Sequence, residues 1–211
     1  MADKKEVPYE ESRLYKIRHS LAHIMAEAVQ QAIPEAQIAI GPPVDNGFYY
    51  DFDLPKSLKE EDLAGIEERM KAIIKTRSEF VRTVVSRDEA KKIFAGQKYK
   101  LELIDGLPEG EDISTYKSHE FVDLCRGPHL DNMGQIDSTC FKLVRVSGAY
   151  WKGDEKNPML QRIYAYAFEN GPKLKEYLHM LAEAEKRDHR KLGREHELFH
   201  LDDENPGQVF W

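Results

Sequence analysis

The sequence runs to 211 residues, enough for one large domain or two small ones around a hydrophobic core, which disfavours fibres and coiled-coil rods. A hydrophobic share of 41% with 33% charged residues fits a folded, heavily solvated protein, and no apolar run approaches the roughly 20 residues that span a bilayer. The 31 Lys and Arg against 38 Asp and Glu give a net charge of -7, which argues against nonspecific coating of nucleic acid and leaves room for a local basic patch.

The opening MADKKEVPYEESR lacks the apolar centre of a secretory signal, so the cytoplasm is the expected compartment. Residues 1–16 read as a polar leader. From Ile17 onward, Leu21, Ile24, Met25, Ala28, Val29 and Ala32 fall on one side of a helix that Pro34 closes. A turn at Gly41-Pro42-Pro43 leads into an aromatic strand at 47–53. Residues 57–76 have helical spacing, with Ser57 as the expected N-cap. A strand at 80–85, a short helix at 86–95, an extended segment at 99–104 and a loop at 105–112 follow. The stretch 121–129 breaks at Gly127-Pro128, and strands return at 141–146 and 160–168.

The last third changes character. Leu174, Tyr177, Leu178 and Leu181 define an amphipathic helix after Gly171-Pro172, expected to continue through 186–194 with five Lys or Arg against one Asp. That basic end reads either as a solvated face complementing the helix dipole or as an RNA contact. Strands interleaved irregularly with helices of unequal length predict an α+β fold, with a mostly antiparallel sheet and packed helices.

The strongest local signal is His19-Ser20-Leu21-Ala22-His23, because residues four apart on a helix share a face and both imidazoles can reach one metal or one substrate atom. The pair projects roughly 160° from the centre of the apolar stripe, so these are not expected to be core histidines. Downstream, Asp123-Leu124-Cys125-Arg126-Gly127-Pro128-His129 places a thiol and an imidazole four apart across a turn. His19, His23, Cys125 and His129 together are a candidate tetrahedral zinc set; alternatively Cys125 is a small buried hydrophobe and His129 a loop residue.

A zinc peptidase of the H-E-x-x-H type is disfavoured, because Ser20 stands where its general base belongs. Neither a glycine-rich phosphate loop nor a G-x-S-x-G elbow is present. Water activation would then fall to a histidine or to Asp123, which either orients an imidazole or caps a turn. Lys100 and Tyr50, taken alone, read as a surface lysine in a strand-like segment and a core tyrosine.

The runs RHSLAHIMAEAVQ, IAIGPPVDNGFYYDFD, FVDLCRGPH, SGAYWKGD and MLQRIYAYAF, in this order, resemble the editing domain of threonyl-tRNA synthetases, itself similar to the additional domain of alanyl-tRNA synthetases and to stand-alone alanyl-tRNA editing proteins. The resemblance covers 17–168, with a helical linker at 169–194. The terminal LGREHELFHLDDENPGQVFW resembles the opening of a class II catalytic core at 195–211, without the motifs that bind ATP. It implies a piece of a longer synthetase, with a natural stand-alone editing protein as the alternative.

The resemblance also implies a task. One methyl distinguishes threonine from serine, worth only about 1–3 kcal/mol in a pocket, so mischarged Ser-tRNA(Thr) must be hydrolysed afterwards. It assigns His19, His23, Lys100, Asp123 and His129 to catalysis, and Tyr50 and Cys125 to the substrate pocket. The partner it implies is the acceptor end of tRNA(Thr) carrying serine, with no membrane; the parent synthetase is expected to be a homodimer joined through its absent catalytic domain. Alanyl-type relatives hold zinc on an equivalent His/His/Cys/His set whereas threonyl-type editing is metal-independent, so no cofactor is required and zinc is possible. The alternatives are a tRNA-binding module without chemistry and the editing of mischarged alanyl-tRNA.

Overall fold

A serine sets the first boundary. In the computed structural model, which describes residues 8–198, 200–201 and 209–210, Ser12 accepts the Tyr15 amide at 3.1 Å and starts α1 at Arg13 (Arg13–Ala32). The helix therefore begins one turn before the expected Ile17. It is also buried on more than its apolar stripe: Arg18, Ser20, His23 and Glu27 are each 4% exposed or less, and His19 is 9% exposed. The expectation of histidines outside the core fails because a second layer of chain covers the polar side of the helix.

The apolar side packs on an antiparallel sheet. Its strands are β1 (Gln37–Ile38) and β2 (Pro43–Val44), both paired with β3 (Gly47–Asp53), then β8 (Met159–Ala167) and β7 (Phe141–Tyr150). Phe48, Tyr50 and Phe52 alternate into the core from β3. Gly47 is required where β3 meets β8, since a Cβ there would lie 1.8 Å from the Ala165 carbonyl oxygen. On the other face Arg162 grips the buried Asp51 with two bonds of 2.6 and 2.8 Å. The helix α2 (Leu63–Lys75) adds Leu63, Ile66, Met70, Ile73 and Ile74 to the same core. It starts after the 3-10 turn Glu60–Asp62, so Ser57 is not its cap.

The covering layer is a smaller antiparallel sheet of β4 (Val81–Val85), β5 (Ile113–Ser118) and β6 (Phe121–Leu124). Strand alternation divides its side chains: Tyr116 and Phe121 join the α1 core, while Ile113, Val122 and Leu124 pack with Ala90, Phe94 and Ile104 in a second cluster. That cluster is built on α3 (Arg87–Ile93), capped by a Ser86–Glu89 box, and α4 (Lys98–Asp105). Sequence reading missed β5, since ISTYKS buries Ser114, Thr115 and Ser118 and carries no apolar alternation.

The α4 segment corrects another expectation. Residues 99–104 were expected to be extended, but they are helical. Lys-Tyr-Lys-Leu-Glu-Leu-Ile satisfies both periods, and tertiary anchors decide. Tyr99 donates to Asp53 at 2.8 Å, Gln37 accepts the Lys98 amide at 3.1 Å, and the helical spacing puts Lys100 and Ile104 on buried positions.

Residues 172–211 form a separate compact unit. It contains most of α5 (Gly171–Lys186), then α6 (His189–Glu195) and the antiparallel pair β9 (His200–Leu201) and β10 (Val209–Phe210). The single helix expected through 186–194 is interrupted at Arg187 and Asp188. Lys186 and Arg187 both pair with Glu183 and are exposed, as a solvated helix face requires. Among the described residues no helix is long and apolar enough to cross a membrane.

Candidate active site

The face of α1 that carries His19 and His23 lies along β6 and the turn after it. The turn is shaped by Gly127 at φ +80°, where a Cβ would meet the Tyr116 hydroxyl at 2.3 Å, and by the cis Gly127-Pro128 bond. These elements wall a cavity of about 430 Å³ with Tyr15, His19, His23, Lys100, Asp123 and Cys125, and with Gly41-Pro42-Pro43 at one edge.

Asp123 is its anchor. The carboxylate is 2% exposed; Oδ1 accepts Lys100 Nζ at 2.5 Å and the Leu124 amide at 2.8 Å, and Oδ2 accepts the Tyr50 hydroxyl at 2.6 Å. Lys100 also donates to the Tyr50 oxygen at 3.0 Å, and His23 Nε2 faces Oδ2 at 3.4 Å. Two opposite charges are thus buried together with their hydrogen bonds made, the condition under which such burial is tolerated. Burial, with the Asp123 charge next, pushes the Tyr50 phenol well above its usual range, so the phenol stays a donor.

The histidines are held from behind. His19 Nδ1 lies 3.1 Å from the Pro128 carbonyl, which only accepts, so Nδ1 carries the proton and the Nε2 lone pair is directed at Cys125 Sγ, 3.2 Å away. His129 lies between Ser20 Oγ, 3.2 Å from its Nδ1, and the same sulfur, 3.3 Å from its Nε2, and the single hydrogen of the thiol serves only one of the two imidazoles. The His129 ring stacks on His19 at 4.1 Å and on Phe80 at 5.3 Å. Burial lowers the pKa of His19 and drives those of His23 and His129 far below the ordinary value; neighbouring imidazoles add to the effect on the latter two. Burial pushes the Cys125 thiol up to about 12, with Asp123 adding to it. At neutral pH the site therefore holds three neutral imidazoles and a protonated thiol beside a lysine and a carboxylate.

The four donors His19, His23, Cys125 and His129 lie within 4.8 Å of one another. The 3.2 and 3.3 Å nitrogen–sulfur separations are close to the edge of about 3.5 Å for a zinc tetrahedron. The carbonyl and hydroxyl behind His19 and His129 are the outer partners that metal-bound imidazoles use. The set fits a zinc ion, and four-fold occupation would leave water no position on it.

All seven residues singled out from the sequence converge here, but they do not share one role in space. His19, His23, Lys100, Asp123 and Cys125 line the cavity, while Tyr50, at 1% exposure, and His129 stand behind them. Sequence reading gave no role to Ser20, which accepts the Leu130 amide at 3.1 Å and supports His129, nor to Tyr15, whose ring meets His19 edge-on at 5.7 Å. The only hint of Ser20 was its place between the two histidines.

Residues 113–164 match the family described as Threonyl and Alanyl tRNA synthetase second additional domain, a span that holds Asp123, Cys125 and His129 but not α1. Over 202 residues, 95% of its length, the chain is 54% identical to a threonine–tRNA ligase of Borrelia hermsii and covers 35% of that protein. Over 92% of its length it is 55% identical to the ligases of Rhizobium johnstonii and Sinorhizobium medicae, covering 30% of each. It thus spans about a third of the length of the curated relatives it matches. Over nearly all of its length the chain is therefore similar in sequence to a part of the threonine–tRNA ligases, and it carries the match to the second additional domain within that part.

Proposed function

We propose that this chain is an editing hydrolase that cleaves the ester of Ser-tRNA(Thr). The observation that carries the reading is the convergence of α1 and the Gly-Pro turn on one cavity, where neutral imidazole meets a buried lysine–carboxylate pair. A binding module has no need of such a cluster. The cavity takes the seryl end of the acceptor strand, and tRNA(Thr) is the partner.

His19 is the base in this reading, because its proton sits on Nδ1 and its Nε2 lone pair, which meets the Cys125 thiol in the resting site, passes to a water at the cavity wall that His19 lines. A water held there gives its proton to Nε2 while its oxygen attacks the ester carbonyl. The Lys100 charge offsets the developing oxyanion. The C–O bond then breaks, and His19 returns the proton to the terminal ribose oxygen, releasing serine and tRNA. His23 and Tyr50 keep Asp123 in place, and with it Lys100. Because Tyr50 is packed rigidly behind Asp123, the wall does not yield to the extra methyl of threonine.

A zinc ion held by His19, His23, Cys125 and His129 would supply Lewis-acid polarisation of the carbonyl or of water. The steps above use the side chains alone, in keeping with the metal-independence that the resemblance implies. The same reading takes 17–168 as the editing domain, 169–194 as a linker and 195–211 as the opening of a class II core, in a cytoplasmic homodimeric parent.

The test compares hydrolysis of Ser-tRNA(Thr), Thr-tRNA(Thr) and Ser-tRNA(Ala) by the wild type and His19→Ala. Selective loss of Ser-tRNA(Thr) hydrolysis in the variant is expected. A folded wild type that binds tRNA and leaves every ester intact would overturn the reading. Element analysis, with activity measured after chelation, separates the metal: activity that survives complete zinc removal eliminates a required ion.

A further inference from the structure

One wall of the cavity takes no part in the chemistry just described. Tyr15 is half-buried, packs in none of the apolar clusters, and among the described residues its hydroxyl makes no hydrogen bond. It nevertheless lines the cavity one helical turn from His19, with the two ring centroids 5.7 Å apart. A second apolar wall comes from the segment before β3: Ile40, still 36% exposed, with Pro42 and Pro43. Neither wall offers a polar side-chain group other than the Tyr15 hydroxyl.

Both walls are fixed. Tyr9 backs Tyr15 edge-on at 5.5 Å, and the buried Arg18 donates through one nitrogen, Nη1, to the Tyr9 hydroxyl at 2.5 Å and to the Val44 carbonyl at 3.2 Å. The support of the tyrosine wall and the residue that follows Pro43 therefore meet at a single guanidinium nitrogen. The proline wall is pinned to β3 by the Asp51 amide, which donates to the Ile40 carbonyl at 2.9 Å, and Gly41 lies so close to Tyr50 that a Cβ would stand 2.0 Å from its ring. Tyr50 is the residue that holds Asp123, so the apolar walls and the polar groups share one framework.

We propose that Tyr15 and the segment 40–43 form a stacking subsite for the nucleobase of the esterified nucleoside. The inference rests on the hydrolase reading for the identity of the ester. In such a substrate the base and the acyl group hang on the same ribose, so an ester that reaches His19 brings its base within one sugar's length of Tyr15. The cavity volume of about 430 Å³ exceeds the need of a seryl group and falls in the range of roughly 300–1,000 Å³ that takes larger organic ligands. Walls without hydrogen-bonding side chains grip a flat ring by its faces, and a base stacks on an aromatic side chain whatever its edges carry. Tyr15 thereby sets where the ester carbonyl stops, and Arg18 and Tyr9 are positioning residues behind it.

The experiment uses the whole chain, and its first arm needs no turnover. Adenosine titrated into the protein should move the Tyr15 ring protons upfield in NMR spectra, and Ile40→Ser should weaken that binding severalfold. The second arm compares hydrolysis of O-seryl adenosine with that of the serine ester of methyl riboside, which lacks a base. Wild type should favour the adenosine ester, and Tyr15→Ala should reduce the ratio of the two kcat/KM values about tenfold, chiefly through KM. Tyr15→Phe, which keeps the ring, should retain the ratio, and thermal melting checks that each variant is folded. An equal fall for both esters in Tyr15→Ala, or adenosine that leaves the Tyr15 protons unmoved, overturns the subsite. Adenosine that stacks on Tyr15 in a chain that cleaves no ester, Ser-tRNA(Thr) included, sinks the hydrolase reading and leaves the subsite standing.

Discussion

The two larger sheets of this protein are made for different work. The larger one buries Phe48, Phe52 and Ile163 completely and locks its outer face with the Arg162–Asp51 clamp. In the smaller one the edge strand β4 leaves Val81 and Val84 about half exposed, and β5 buries serine and threonine where the larger sheet buries rings. Yet the smaller sheet supplies Asp123 and the turn that holds Cys125 and His129. Its reactive end is held by polar bonds to Lys100, Tyr50 and His23 more than by apolar packing. A rigid apolar layer thus serves as the support against which a thinner polar layer is fastened, and the bonds that fasten it are those of the proposed chemistry.

The sharpest way to break this contrast is Asp123→Ala, which removes the fastener. It leaves the Lys100 ammonium buried without a counter-charge, so a loss of about 3–5 kcal/mol in denaturant unfolding is expected, together with loss of ester hydrolysis. The double change Asp123→Leu with Lys100→Met should restore stability and leave hydrolysis absent. If it restored hydrolysis, the polar network would be only structural.

His19→Ala is the next largest. It should lower Ser-tRNA(Thr) deacylation by about a hundredfold or more while the melting temperature moves little, because its ring is at the cavity wall. In the larger sheet Arg162→Ala should do the opposite: about 2 kcal/mol of stability lost, since Asp51 is left buried and unpaired, with unchanged kcat. Equal loss of activity in both variants would erase the distinction between the layers.

Acid separates the layers more gently. The three site histidines have folded pKa values below their ordinary 6.5, so the unfolded chain binds more protons as pH falls through that value. Stability should therefore be constant above pH 6.5 and decline below it, toward the lowered folded values, in urea titrations across pH 7 to 5. His129→Phe, which keeps an aromatic ring and removes a titrating group, should flatten that decline. The smallest effect belongs to the exposed edge: Val84→Thr in β4 should stay within about 0.5 kcal/mol of wild type.

Legibility in the sequence followed the same division. The strand at β3 and the apolar stripe of α1 were readable because each buries one face against a neighbour, and strict period marks that burial. The β5 strand was not, because Ser114, Thr115 and Ser118 stand at buried positions in it; its backbone is paired in the ladder, and Ser114 donates to the Cys125 carbonyl at 2.7 Å. The α4 helix was misread for a related reason: its pattern suits two periods, and the anchors that choose between them, Asp53 and Gln37, are far away in the chain. In the site, the residue types and the i, i+4 spacing of His19 and His23 were visible, but their burial was not.

The sequence by itself determined which groups could react and that they would fall into a helix pair and a Gly-Pro turn, because helical spacing and glycine's backbone freedom are local properties. Only the tertiary structure decided their protonation, their partners and which of them reach the cavity. Those depend on solvent being excluded by the second sheet, and solvent exclusion is a property of layers brought together from distant parts of the chain.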